Sequence, residues 1–123
     1  MSGVDFCADT NFAVYHLSGH RCVQPYEAAA LAISVVTELE LLSKPGMPTV
    51  EVAAAELYLE TCEIVELTVP IKALVIGLRR QYRLKLPDAI VAATAQWLGV
   101  PLLTADKGFA RITSLDMILL DPI

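Results

Sequence analysis

Residues 79–109, RRQYRLKLPDAIVAATAQWLGVPLLTADKGF, constrain the fold more than any other part of the chain. They read as the end of a basic helix, a break at Leu86-Pro87, a buried helix led by Asp88, a Gly99-Val100-Pro101 turn and a short strand running into Asp106. Proline suits the first turn of a helix, where its missing N–H is not needed, and an acid beside it is favoured by the exposed N–H groups there. The run that follows is apolar almost all round, as in a helix covered on most sides. Such a helix leading straight into an apolar strand belongs to an α/β fold, whose parallel sheet is covered on both faces. One carboxylate then stands where a helix begins and another where a strand ends, the positions at which such folds put their chemistry.

The rest of the chain repeats the alternation. Residues 4–8 form a first strand closed by Asp9-Thr10-Asn11, and residues 12–17 have helical spacing that Ser18-Gly19 stops. Residues 20–25 are irregular, residues 26–31 read as a short helix, and the β-branched run 32–36 as a second strand. Thr37 is the expected N-cap of a helix over 38–43, halted by Lys44-Pro45-Gly46. A further helix spans about 49–61, and residues 64–67 alternate apolar with acidic as a half-exposed edge strand does. Ile71, Leu74, Val75, Leu78 and Tyr82 mark one face of another helix, and residues 117–120 a last strand. At 123 residues the expectation is one α/β domain, residues 1–123, with a core large enough to need no disulfide or structural metal.

Composition narrows the function. No apolar run approaches the roughly 20 residues of a membrane helix, and the start MSGVDFCADTN lacks the basic and apolar regions of a secretory signal. Three widely spaced cysteines, Cys7, Cys22 and Cys62, fit a reducing cytoplasm better than a disulfide scaffold. The net charge of -5 argues against a broad footprint on nucleic acid. Within that acidic total, Arg79, Arg80, Arg83 and Lys85 fall together, either as a solvated helix face or as a contact for phosphates.

In a parallel sheet all strand carboxyl ends share one edge, so Asp9 and Asp106 are expected there with Asp88 at the start of its helix. The helix after Thr37 begins at the same edge and carries Glu38 and Glu40, about 200° apart, so one of the two should face the other acids. Carboxylates converging in an apolar domain repel one another unless a cation joins them. Mg²⁺ or Mn²⁺ fits an all-oxygen set and, with a water it activates, supports attack on a phosphodiester. Taken singly, each acid has a plainer role: Asp9 and Asp88 as helix caps, Asp106 as a turn residue, either glutamate as a solvated helix residue.

Four segments in this order resemble the PIN-domain ribonucleases, and among them the VapC-type toxins of toxin-antitoxin pairs. They are Asp9-Thr10-Asn11, Ile33-Ser34-Val35-Val36-Thr37 followed by Glu38-Leu39-Glu40-Leu41-Leu42, Leu84-Lys85-Leu86-Pro87-Asp88-Ala89, and residues 102–109, LLTADKGF. The resemblance implies a three-layer α/β/α domain with a central parallel sheet of four to five strands, cutting RNA to 5′-phosphate and 3′-hydroxyl ends. It also implies that Asp9, Glu40, Asp88 and Asp106 are the catalytic and metal-binding acids for Mg²⁺ or Mn²⁺. The family's glutamate falls three residues after the threonine, which selects Glu40 over Glu38. Thr10, Asn11, Ser34 and Thr104 would support the acids by hydrogen bonds, and Arg79, Arg80, Arg83, Lys85 and Lys107 would meet RNA. A homodimer and a cognate antitoxin protein, whose tail occupies the groove at the acids, are the implied partners, in the cytoplasm and without a membrane.

Three competing readings stand beside this one. His16, His20 and Cys22 have part of a zinc-site spacing but lack a fourth ligand. A phosphatase of the haloacid-dehalogenase type also uses an Asp after its first strand, but needs a second Asp where this chain has Asn11. A PIN-like domain that only binds a protein partner is the non-enzymatic alternative.

Overall fold

The computed structural model describes residues 3–122. Five short strands, β1 (Phe6–Ala8), β2 (Leu31–Ser34), β3 (Glu63–Val65), β4 (Leu102–Thr104) and β5 (Met117–Leu119), form one sheet in the order β3-β2-β1-β4-β5 with every pairing parallel. The helices are α1 (Thr10–Leu17), α2 (Val35–Leu42), α3 (Thr49–Glu60), α4 (Val69–Gln81) and α5 (Leu86–Leu98), with 3-10 turns at Arg21–Tyr26 and Lys107–Arg111. Parallel pairing follows from connections that each carry a helix or a long crossover.

Alternate strand residues feed two cores. Cys7, Ala32 and Leu102 face one that also takes Ile71, Val75 and Leu78 of α4 and most of α5. Ala8, Leu31, Ile33 and Leu103 face the other, filled by Phe12 and Ala13 of α1, Leu41 of α2 and Leu59 of α3. This is the three-layer α/β/α arrangement the sequence predicts. Burial also fixes Cys7 as an inert core thiol, its pKa pushed up to about 12 by desolvation and then by the Asp9 charge.

In helix α5, Ala89 to Ala95 are all buried together with Leu98, and the buried Thr94 hydroxyl is satisfied by the Ile90 carbonyl at 2.7 Å. Gly99 ends the helix in the left-handed conformation (φ 71°), which a side chain would strain.

Two local expectations fail. The second strand stops at Ser34, whose hydroxyl accepts from Val36 N at 3.1 Å and caps a helix that starts at Val35. Thr37 is therefore inside α2 and fully buried instead of being its cap; the capping bond and the end of strand pairing at Ser34↔Val65 outweigh the β-preference of Val35-Val36. The helix expected over 26–31 is absent, because Asp5 holds the chain open there: its carboxylate accepts from Ala30 N at 2.8 Å and its own N–H donates to Ala30 O at 2.7 Å. The irregular segment before it contains instead the 3-10 turn, capped by His20.

Candidate active site

Strand order β3-β2-β1-β4-β5 reverses direction between β1 and β4, and the crevice at such a switch point is where α/β sheets bind ligands. Asp9 follows β1 directly and Asp106 lies two residues beyond β4, so the two acids flank that crevice. The register Ala8↔Leu103 sets Asp9 beside Thr104. Thr104 is fully buried; its hydroxyl donates to Asp9 Oδ2 at 2.5 Å and accepts from Asp106 N at 2.9 Å. One side chain thus ties the two strand ends together. Asp9 Oδ1 accepts from Phe12 N at 2.8 Å, so this acid caps α1 as well, and only 5% of its surface is exposed.

Asp88 enters from the first turn of α5 and Glu40 from α2. The Thr10 hydroxyl donates to Glu40 Oε1, and the Thr37 hydroxyl lies 3.2 Å from that of Thr10. Since Thr10 has a single proton, giving it to Glu40 makes Thr37 the donor in the second contact. Thr37 and Glu40, three apart on α2, share a face that Thr10 reads, which gives the family spacing a physical sense. Glu38 is half-buried away from that face.

Asp9, Glu40, Asp88 and Asp106 line one pocket of about 170 Å³, together with Thr10, Asn11, Pro87, Val91 and Phe109, and no cation is among its lining. Burial raises the Asp9 carboxyl above its usual range, against the pull of the Thr104 and Phe12 hydrogen bonds, and the charges of Asp106 and Asp88 add to the rise. Asp88 is raised by burial first and then by Asp106, with a smaller push from Glu40; Lys85 and, more weakly, Arg111 act on it in the opposite sense.

These hard oxygen donors and their unbalanced charge fit a divalent cation. Among the described residues, however, no three His, Cys, Asp or Glu side chains are already gathered in ligating geometry. Glu40 is held by Thr10, and Asp106 Oδ1 accepts from Gly108 N at 2.8 Å. Side-chain rotation of Glu40 and Asp106 toward Asp9 and Asp88 is what a cation would require.

The other sequence candidates divide. Ser34 spends its hydroxyl on capping α2, whereas Thr10 and Thr104 each give theirs to a carboxylate. Asn11 lines the pocket. Arg83 and Lys85 border an adjoining pocket of about 270 Å³ that shares Asp88, Asp106 and Phe109 with the first. Arg79 and Arg80 lie farther along α4 in an open groove, and Arg79 Nε donates to Leu84 O at 3.4 Å. Lys107 is exposed and borders neither acid-lined pocket. Sequence reasoning missed Thr37, detectable from its spacing to Glu40, and Arg111, which borders the second pocket five residues past Asp106. The zinc reading falls: His16, His20 and Cys22 do not gather into a ligating cluster among the described residues.

The sequence matches the PIN domain family over residues 6–115. The chain belongs to the PIN domain family. A search of curated proteins returned no match. Among solved structures, this PIN domain is similar to a chain of a toxin-antitoxin complex from Klebsiella pneumoniae, at 28% identity and a TM-score of 0.81, covering 97% of this chain and 98% of that one. It also resembles VapBC2 from Rickettsia felis bound to a DNA fragment from its promoter (21% identity, TM-score 0.80, 94% and 98% covered) and DNA-bound VapBC from Salmonella typhimurium (18%, 0.82, 94% and 97%). The last two likenesses carry the fold. No helix among the described residues is long and apolar enough to cross a membrane.

Proposed function

We propose that this PIN domain is a metal-dependent endoribonuclease and the toxin of a toxin-antitoxin pair, acting in the cytoplasm as a homodimer. The single observation that carries the reading is the convergence of Asp9, Glu40, Asp88 and Asp106 on one small pocket without a cationic side chain in its lining. Membership of the family and the toxin-antitoxin complex among the similar structures support it and supply the expected partner, a cognate antitoxin.

Asp9 and Asp88 would hold Mg²⁺ or Mn²⁺, with Glu40 and Asp106 completing the set. A bound divalent cation supplies positive charge for the phosphate oxygens and an acidified water for attack on phosphorus. Thr104 fixes the Asp9 carboxylate from one side and Phe12 N from the other, so this ligand is oriented before substrate arrives. The first-turn position of Asp88 directs the N-terminal end of α5 toward the negative phosphate as well. Thr10 controls the direction of Glu40, and releasing that bond lets the glutamate swing into the pocket.

RNA cleavage by purified protein, with and without Mg²⁺ or Mn²⁺, comparing wild type with Asp9→Asn and Asp88→Asn, tests this directly. Cleavage that needs the metal and disappears in both variants is expected. Equal cleavage in all three proteins, or indifference to a chelator, overturns the nuclease reading and leaves a domain that only binds its partner.

A further inference from the structure

Beside the acid pocket lies the second pocket, whose lining brings Arg83, Lys85 and Arg111 together with Asp88 and Asp106. Asp88, Asp106 and Phe109 belong to both pockets, so the two adjoin at the acids. Arg83, Leu84 and Lys85 in turn border the groove along α4 that carries Arg79 and Arg80. Neighbouring pockets therefore lead from the acids past three cations to two more. On its opposite side the acid pocket adjoins, through Thr10 and Glu40, a groove of mixed and mostly apolar lining that includes Val14, Leu17, Leu41, Met47 and Ala54. That groove carries one cation, Lys44, together with Glu40 and Glu51, whereas three cations line the second pocket, so positive charge is concentrated at that exit.

We propose that the Arg83, Lys85 and Arg111 pocket holds the backbone phosphate of the RNA nucleotide next to the scissile one, with Arg111 as the residue that positions it. The assignment rests on the nuclease reading and gives the strand a path away from the acids. Arg111 is already anchored, since its Nε donates to Gly108 O at 3.2 Å; this leaves the terminal amino groups of the guanidinium for a two-pronged contact to phosphate. Arg83 and Lys85 sit exposed in the turn between α4 and α5, where they add point charge. A flanking phosphate held here turns its neighbour toward Asp9 and Asp88 and resists sliding of the strand. Arg79 is partly committed to the Leu84 carbonyl and lies farther out, so it contributes less.

The test uses a fluorescent single-stranded RNA and the full chain. Binding is followed by anisotropy over a salt series in chelator, and cleavage of the same RNA is followed in Mg²⁺. Wild type is compared with Arg111→Ala, Arg111→Lys, the double variant Arg83→Ala/Lys85→Ala, and Lys72→Ala as a control on an exposed lysine of α4 remote from both pockets in sequence. Removing one cation that neutralises a phosphate of a single strand should lower the slope of log K against log salt by about 0.7. Arg111→Ala should show that drop and a rise in KM of about tenfold with kcat changed less than threefold. Arg111→Lys should restore the slope but only part of the KM, because a lysine keeps the charge and lacks the fork. The double variant should lower the slope by up to twice as much, and Lys72→Ala should leave it unchanged.

If wild type cleaves RNA and neither the slope nor KM moves in Arg111→Ala and the double variant, the phosphate assignment fails while the nuclease stands. In that case the three cations only balance Asp88 and Asp106, or serve an acidic protein surface. If wild type neither binds nor cleaves RNA, the nuclease reading falls and takes this assignment with it. Should Arg111→Ala unfold, the double variant, on an exposed turn, decides alone.

Discussion

Asp9 and Glu40 face the same pocket from supports of very different stiffness. Asp9 stands at the end of a central strand, nearly buried, with both carboxylate oxygens engaged, by the Phe12 amide and the Thr104 hydroxyl. Glu40 projects from the second turn of α2, exposed, and is held by the hydroxyl of Thr10. The sheet side of the site is therefore preorganised, and the helix side is adjustable. Burial without a balancing cation raises the Asp9 carboxyl, so stiffness on that side costs stability whenever the pocket holds no positive charge.

The sharpest break in the comparison is between the two glutamates. Glu40→Gln should reduce metal-dependent cleavage by about 10²-fold or more, beyond what loss of an outer hydrogen-bond partner usually costs. Glu38→Gln should leave most of the activity, because that side chain lies away from the pocket. Both variants should unfold at the same urea concentration as wild type, since neither side chain anchors the core. The reverse order of activities would mean that α2 turns a different face to the acids.

Next in size is the contrast between the two threonines. Thr104→Val keeps the volume but strips Asp9 of a donor and Asp106 N of an acceptor inside a fully buried site. The cost should be about 1–3 kcal/mol in urea unfolding, with a roughly 10- to 100-fold loss of cleavage. Thr10→Val releases the exposed glutamate and takes one partner from the buried Thr37 hydroxyl, and should cost no more than about 1 kcal/mol and under about tenfold in rate. Equal losses in the two variants would erase the distinction between a stiff side and an adjustable one.

The same division explains what could be read from the chain. Asp9, Asp88 and Asp106 were legible because their positions follow from local rules: a carboxylate that caps a helix after a strand, a proline at a helix start, a Thr-Ala-Asp leaving a strand. The side chains meet because parallel strands share an edge, which the alternation of elements already implies. The start of α2 was not legible, because Val35-Val36 favour a strand locally and a single hydroxyl, that of Ser34, decides otherwise. The helix expected over 26–31 is not legible as a loop because the bonds that open the segment come from Asp5, 25 residues away from Ala30. Arg111 carries no local signature of its own; only the folding of the Lys107–Arg111 turn brings it beside Asp88 and Asp106.

Gly108 sharpens the comparison from the adjustable side of Asp106. A Cβ added there would sit 3.0 Å from Asp106 Oδ1, the oxygen that accepts from Gly108 N. The carboxylate is the free end of a side chain and can turn away, so Gly108→Ala should fold normally. Its cleavage rate should fall a few-fold, and the Mg²⁺ concentration for half-maximal activity should rise. An unchanged metal requirement would place Asp106 outside the metal's reach.

The smallest effect is a pH dependence that reports the unbalanced charge itself. The folded chain raises Asp88, mainly by burial and then by Asp106, above its ordinary value of 3.8. A carboxyl raised on folding favours the protonated fold: its contribution is fully present below pH 3.8 and is lost as pH climbs through the raised value. At neutral pH the ionised Asp88 therefore weighs against the metal-free fold, and Asp88→Asn should melt higher than wild type in chelator. Because Asp88 is half-exposed and screened by solvent, the gain should be less than about 3 °C. It should shrink toward zero as the pH falls below about 4, and Mg²⁺ at about pH 7 should cancel it by stabilising wild type alone. A gain that persisted unchanged at low pH would point to packing instead of charge, and the acids would then be coexisting in the pocket without the strain that calls for a cation.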